Sequence, residues 1–188
     1  MNTAKYCFGT LALAAVLAAP AAAQNDRSSA NRIVEPGARS ENRIVREVRH
    51  ELVMLPYYGV FDDLEYRVNG SVVTLMGDVT RPTLKSDAEK VVKNIEGVTK
   101  VDNQIKVLPL SPMDDRIRLA EYRAIYSEPS LNRYALQAVP PIHIIVSGGH
   151  VTLVGVVASK ADKDVAGIRA NGVSGVFSVD NQLKLENM

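Results

Sequence analysis

The sequence predicts an α+β fold of two tandem αββαβ modules, each a three-stranded mixed sheet covered on one face by two helices. Three observations carry that prediction. First, the stretch Gly70 to Lys106 is written again from Gly148 to Lys184, with 15 of 37 positions identical and no gap. Second, within each copy the apolar residues recur first at helical spacing, then in alternation twice, then at helical spacing, then in alternation again. Third, Gly77 and Gly155 interrupt the strand pattern at the same place in both copies, as a bulge or a close backbone approach requires.

Residues 1–23 read as a secretory signal peptide, with Lys5 before an apolar run from Leu11 to Ala19 and Ala21-Ala22-Ala23 as a small-residue cleavage site. Residues 24–41 carry Asn, Ser, Arg, Pro and Gly with few large apolar residues and are expected to form a flexible spacer. The modules follow at 42–109 and 111–187. The only cysteine, Cys7, lies within the leader, so the remainder has no thiol chemistry. Without Lys5, the 22 Lys and Arg fall to 21 against 21 Asp and Glu. A neutral chain argues against a nucleic-acid partner.

In the first module, Ile44, Val45, Val48, Leu52 and Val53 trace an amphipathic helix that must end before Pro56, with Arg43 and Glu47 one turn apart. Leu64, Tyr66 and Val68 alternate into Asn69-Gly70, and Val73, Leu75 and Val79 alternate out of it, which predicts a hairpin. Leu84, Ala88, Val91, Val92 and Ile95 form the stripe of a second helix stopped by Gly97. The last strand, around Val101, Ile105 and Val107, should return parallel through a right-handed crossover.

The second module departs from the first in three places. Ser111, Pro112, Asp114 and Asp115 set a helix start, and the helix should run to about Tyr126. On it, Arg116, Arg118 and Arg123 beside Tyr122 and Tyr126 suit a lipid headgroup boundary, where a cation meets phosphate and a ring meets acyl chains. The same helix admits a plainer reading, with Ile117, Ala120 and Ala124 as core and solvated charge around them. Residues 127–141, with Leu131, Tyr134, Leu136 and Val139, are too apolar for a free linker and should pack back as a helical turn. Finally, Ile145, Val154 and Val156 give the second hairpin an apolar outer face, where the first copy has Arg67, Met76 and Asp78. The first module, a second chain or a protein partner should cover that face.

The order of elements, the Val-Thr-Leu-x-Gly strand and the Gly-Val-x-x-Val-x-Asn-x-[Ile/Leu] ending resemble the BON (bacterial OsmY and nodulation) domain family over almost the whole chain beyond the spacer. The resemblance implies export to the bacterial envelope, association with phospholipid, and a part in envelope or osmotic stress. Its motifs are structural, so they imply fold more than task.

Catalytic and metal chemistry find little support. His143 and His150 fall on opposite arms of the second hairpin, with His150 opposite Ser147, too far apart to share a zinc. His50 sits on a charged helix face, and Asp62-Asp63 reads as a loop pair with no basic or histidine partner. Asn103 and Asn181 alternate inward and should bond backbone. The resulting expectation is a non-enzymatic periplasmic binding protein with no cofactor and no metal. Its partner is either an anionic phospholipid surface met by Arg116, Arg118, Tyr122, Arg123 and Tyr126, or an envelope protein met by Ile145, Val154 and Val156.

Overall fold

The computed structural model describes residues 36–186. The expected signal peptide and most of the spacer lie outside the described residues.

Module 1 begins with α1 (Pro36–Val53), which starts inside the expected spacer and buries Ile44, Val48 and Leu52 one turn apart. Then come β1 (Glu65–Asn69), β2 (Val72–Met76) and the short β3 (Asp78–Val79). β1 and β2 pair antiparallel, Val68 opposite Val73 and Tyr66 opposite Leu75. Proline at the first turn opens α2 (Pro82–Lys93), which buries Leu84, Ala88 and Val92. The crossover returns as β4 (Lys100–Asn103), parallel to β2, followed by β5 (Lys106–Val107), parallel to β3. The sheet is therefore mixed, in the order β1-β2-β4, and broken in two at Gly77.

Module 2 repeats the order with α3 (Pro112–Tyr126), a 3-10 turn (Asn132–Leu136), β6 (Ile142–Ser147), β7 (His150–Val157), α4 (Lys160–Asn171), β8 (Ser178–Asn181) and β9 (Lys184–Leu185). β6 pairs antiparallel with β7, and β8 and β9 pair parallel with it. His150 stands opposite Ser147, as the turn at Gly148-Gly149 requires.

Each module has its own core. Leu75, Leu84 and Ile105 are fully buried in the first, and Ile144, Leu153 and Leu183 in the second. Each such side chain contributes on the order of 2 kcal/mol by leaving water. The segment before β6 folds back as expected, with Leu131 and Tyr134 in the core, although Leu136 stays exposed.

The glycines that interrupt the strands are explained by contact as well as conformation. Gly77 has φ +108°, and a Cβ there would overlap the Asp63 carbonyl oxygen; at Gly155, φ is +123° and a Cβ would overlap the Pro141 oxygen. The repeated asparagines are architectural: Asn103 Nδ2 donates to the Lys85 carbonyl at 2.9 Å and Asn181 Nδ2 to the Lys163 carbonyl at 2.7 Å. They tie the last long strand of each module to its second helix.

Between the modules, residues 57–63 leave the first and run along the edge of β6. Ile144 N donates to the Val60 carbonyl at 2.8 Å, so this segment supplies the partner that an edge strand lacks. Tyr58 stacks on His143 with ring centres 5.6 Å apart, and Phe61 meets Tyr122 edge-on at 6.3 Å.

Candidate functional surface of the second module

The first turn of α3 is locked to the hairpin tip. Ser111 caps the helix by accepting from Asp114 N at 3.2 Å. The Asp114 carboxylate then accepts from Gly148 N at 3.0 Å and Gly149 N at 2.9 Å. Burial opposes its ionisation, but those two amides, Ser111 and Arg118 hold it below the ordinary aspartate value.

The five residues expected at a lipid surface divide. Arg116 and Arg123 are exposed. Arg118 is buried, donating to the Val146 carbonyl at 2.7 Å and pairing with Asp115. Tyr126 is buried too, its hydroxyl donating to the Ile142 carbonyl at 2.6 Å. Tyr122 is half-buried between Phe61 and Tyr126. Arg118 and Tyr126 therefore pin the middle and the C-terminal end of α3 along β6 and are not free for headgroups. The buried stripe is Ile117, Glu121 and Ile125, where sequence periodicity pointed to Ile117, Ala120 and Ala124.

The apolar outer face also divides. Ile145 is buried, Val154 is half-buried, and Val156 remains 43% exposed. Val154 and Val156 border a cleft of about 560 Å³ between the modules, with Arg49, Asp63, Glu65, His143 and Lys184. In that cleft, burial and the neighbouring carboxylates of Glu65 and Asp78 push Asp63 up to about 6. Burial lowers His143, against the pull of Asp62 and the Gly59 backbone. Asp62 is itself buried and accepts from Thr80 N and Oγ1 at 2.7 and 2.8 Å, a partner the loop reading did not supply.

A different surface gathers at the α3 N-terminus. Phe177 is 71% exposed and Met113 45%. Phe177 N donates to the Gly149 carbonyl at 2.9 Å, its ring lies 6.0 Å from that of His150, and a Cβ at Gly175 would touch Met113 at 3.7 Å. Arg116 borders the same shallow groove with Met113, Ile117 and Gly175. One end of module 2 therefore presents two large apolar side chains beside an exposed cation. Sequence reasoning missed Met113 and Phe177; the signal was the substitution of Phe177 for Thr99 inside the best-repeated block.

Among the described residues no helix is long and apolar enough to cross a membrane, and no cluster of His, Cys, Asp and Glu could hold a metal.

Comparison with known proteins places these features in context. The BON domain family model matches residues 40–109 and 130–187, the second match beginning after α3. The osmotically-inducible protein Y of Escherichia coli strain K12 is 36% identical over 124 residues, 65% of this chain and 61% of that protein. Among solved structures, CdsD, a structural protein of the type III secretion system of Chlamydia trachomatis, aligns over 76% of this chain and 92% of its own, at 14% identity and TM-score 0.30. The C-terminal domain of CdsD aligns over 76% and 96%, at 14% identity and TM-score 0.27. At those scores the likeness carries no argument about this chain.

Proposed function

The chain belongs to the BON domain family, and from that premise we propose that it is an exported, periplasmic, non-enzymatic binding protein that attaches peripherally to anionic phospholipid through the end of module 2. The observation that carries this reading is the exposed Met113 lining one groove with the exposed cation of Arg116, at the same end of module 2 as the exposed Phe177 over Gly149. Apolar side chains that cannot fold inward gain by entering the acyl boundary, and a basic residue beside an anionic surface adds about 1 kcal/mol. Arg123, also exposed, adds to the positive face of α3. The similarity to an osmotically-inducible protein supports a place in osmotic or envelope stress.

Sedimentation with vesicles of phosphatidylglycerol or of phosphatidylcholine, at low and high salt, tests it. Binding should require the anionic lipid and weaken with salt, and Phe177→Ser with Arg116→Glu should reduce it roughly tenfold or more, as the loss of about 1.4 kcal/mol implies. Equal binding by the double variant would sink the proposal.

A second reading rests on Val154 and Val156, which border the intermodule cleft beside mixed charge. There an envelope protein would be the partner. Its binding should persist in salt and fall with Val156→Asp, while the variant at Phe177 and Arg116 should leave it unchanged.

A further inference from the structure

Glu121 stands at the centre of α3, 0% exposed, with neither carboxylate oxygen hydrogen-bonded. The first module shows what that position ordinarily holds. A Cβ at Gly97 would meet Ile44 Cδ1 at 3.4 Å, and at the matching Gly175 it would meet Ile117 Cδ1 at 3.8 Å, so Ile44 and Ile117 are counterparts. One turn on stand Val48 and Glu121, each fully buried, and one turn further Leu52 and Ile125. An acid therefore occupies a valine's place in an otherwise equivalent core.

Among the described residues nothing charged offsets it. On α3, Arg118 is committed to Asp115 and the Val146 carbonyl, its own Nε unpaired, while Arg116 and Arg123 face solvent. On β6 the titratable group is His143, which alternates to the other face and stacks on Tyr58. From α4, Asp162 is held by Ser159, Tyr134 and Arg133, Lys163 by the Leu183 carbonyl, Lys160 pairs with Asp164, and Arg169 with Glu128. On the 3-10 turn, Arg133 is the charge already named. Burial alone raises the carboxyl, to about 8, so it is seated as the neutral acid.

We propose that α3 is a pH-tuned element of module 2, which Glu121 holds on the sheet as a neutral acid and which opens progressively as the surrounding pH rises. The sign follows from linkage. When α3 lifts away, the hydrated carboxyl ionises near its ordinary value of about 4.3. Between there and about 8 the seated state holds one more proton than the open state. Each added pH unit then favours opening roughly tenfold, and the effect levels off above about 8. Module 1, with Val48, has no such response. Opening of α3 is independent of lipid attachment and would stand if that attachment failed.

Hydrogen exchange of the full chain in the absence of lipid, between pH 6.5 and 8, tests it. Two other shifted groups still titrate near the lower edge of this window, and the Glu121 variants control for both: Asp63, at about 6, is mostly ionised when folded, and His143, lowered when folded, is partly protonated near its ordinary value of about 6.5 when exposed. Protection factors, which normalise for intrinsic exchange, should fall roughly tenfold per pH unit for α3 peptides and stay level for α1 peptides. In Glu121→Gln and Glu121→Val the α3 values should stay level; the valine variant, which copies the Val48 site of module 1, serves if the glutamine variant folds poorly. Level α3 protection in the unmodified protein, or an equal fall in the variants, would overturn the proposal.

Discussion

Arg118 and Glu121 lie one turn apart on α3 and meet burial in opposite ways. Arg118 carries its charge inward and satisfies it with the Val146 carbonyl and Asp115, whereas Glu121 gives up its charge. Truncating Arg118→Ala leaves the Val146 carbonyl without its side-chain donor and opens space on β6, so it should cost about 2 to 4 kcal/mol in urea unfolding. The same variant should bind anionic vesicles as before wherever it remains folded, since Arg118 is not at the surface. A large loss of vesicle binding by the folded variant would return Arg118 to the lipid site.

At the scale of elements, the two helices of module 2 share a device whose details differ. Ser111 with Asp114, and Ser159 with Asp162, place a serine cap three residues before an acid, the spacing of a capping box. In both cases the acid reaches a tertiary partner: the hairpin tip for Asp114, and Tyr134 and Arg133 for Asp162. Both carboxyls are held below their ordinary value, so the stability they add is present above about pH 4 and lost on acidification through the lower folded values. Asp114→Asn should therefore flatten part of the acid limb of a stability profile and cost about 1 to 3 kcal/mol at neutral pH. The glycines make a sharper comparison. Gly155→Ala must place a methyl against the Pro141 carbonyl at positive φ, at about 2 to 4 kcal/mol. Gly148→Ala, with φ +59° and open space around it, should cost only about 1 to 2 kcal/mol. Equal midpoints in thermal unfolding would refute the contact argument.

For the molecule as a whole, the joint between modules is built by residues 57–63 on β6. A double-mutant cycle on Tyr58→Ala and His143→Ala should show coupling of about 0.5 to 1.5 kcal/mol, the range of ring pairs. Burial lowers His143, so docking keeps its full strength above the ordinary histidine value of about 6.5 and weakens as pH falls toward the depressed folded value. This acid limb should vanish in His143→Phe. It runs opposite to the Glu121 response, which loosens α3 as pH rises.

Periodicity and repetition determined much of this protein. The element order, the parallel return of β4 and β8, the close approaches at Gly77 and Gly155 and the inward asparagines all follow from local spacing, because backbone geometry restricts each to few solutions. Side-chain fates on α3 did not follow. The shift of 78 residues that aligns the strands sets Ile44 against Tyr122, whereas the fold sets it against Ile117, because the longer segment before β6 breaks the register of the copies. The sequence offered Arg118 to a lipid surface and Ile145 to an outer face awaiting a cover, and it did not single out Glu121. Tertiary structure alone decided that Val146 receives the arginine, that the acid fills a valine's site, and that Met113 and Phe177 stay outside together beside Arg116. Hydropathy describes what a residue prefers on its own, while burial depends on what the rest of the chain brings to it.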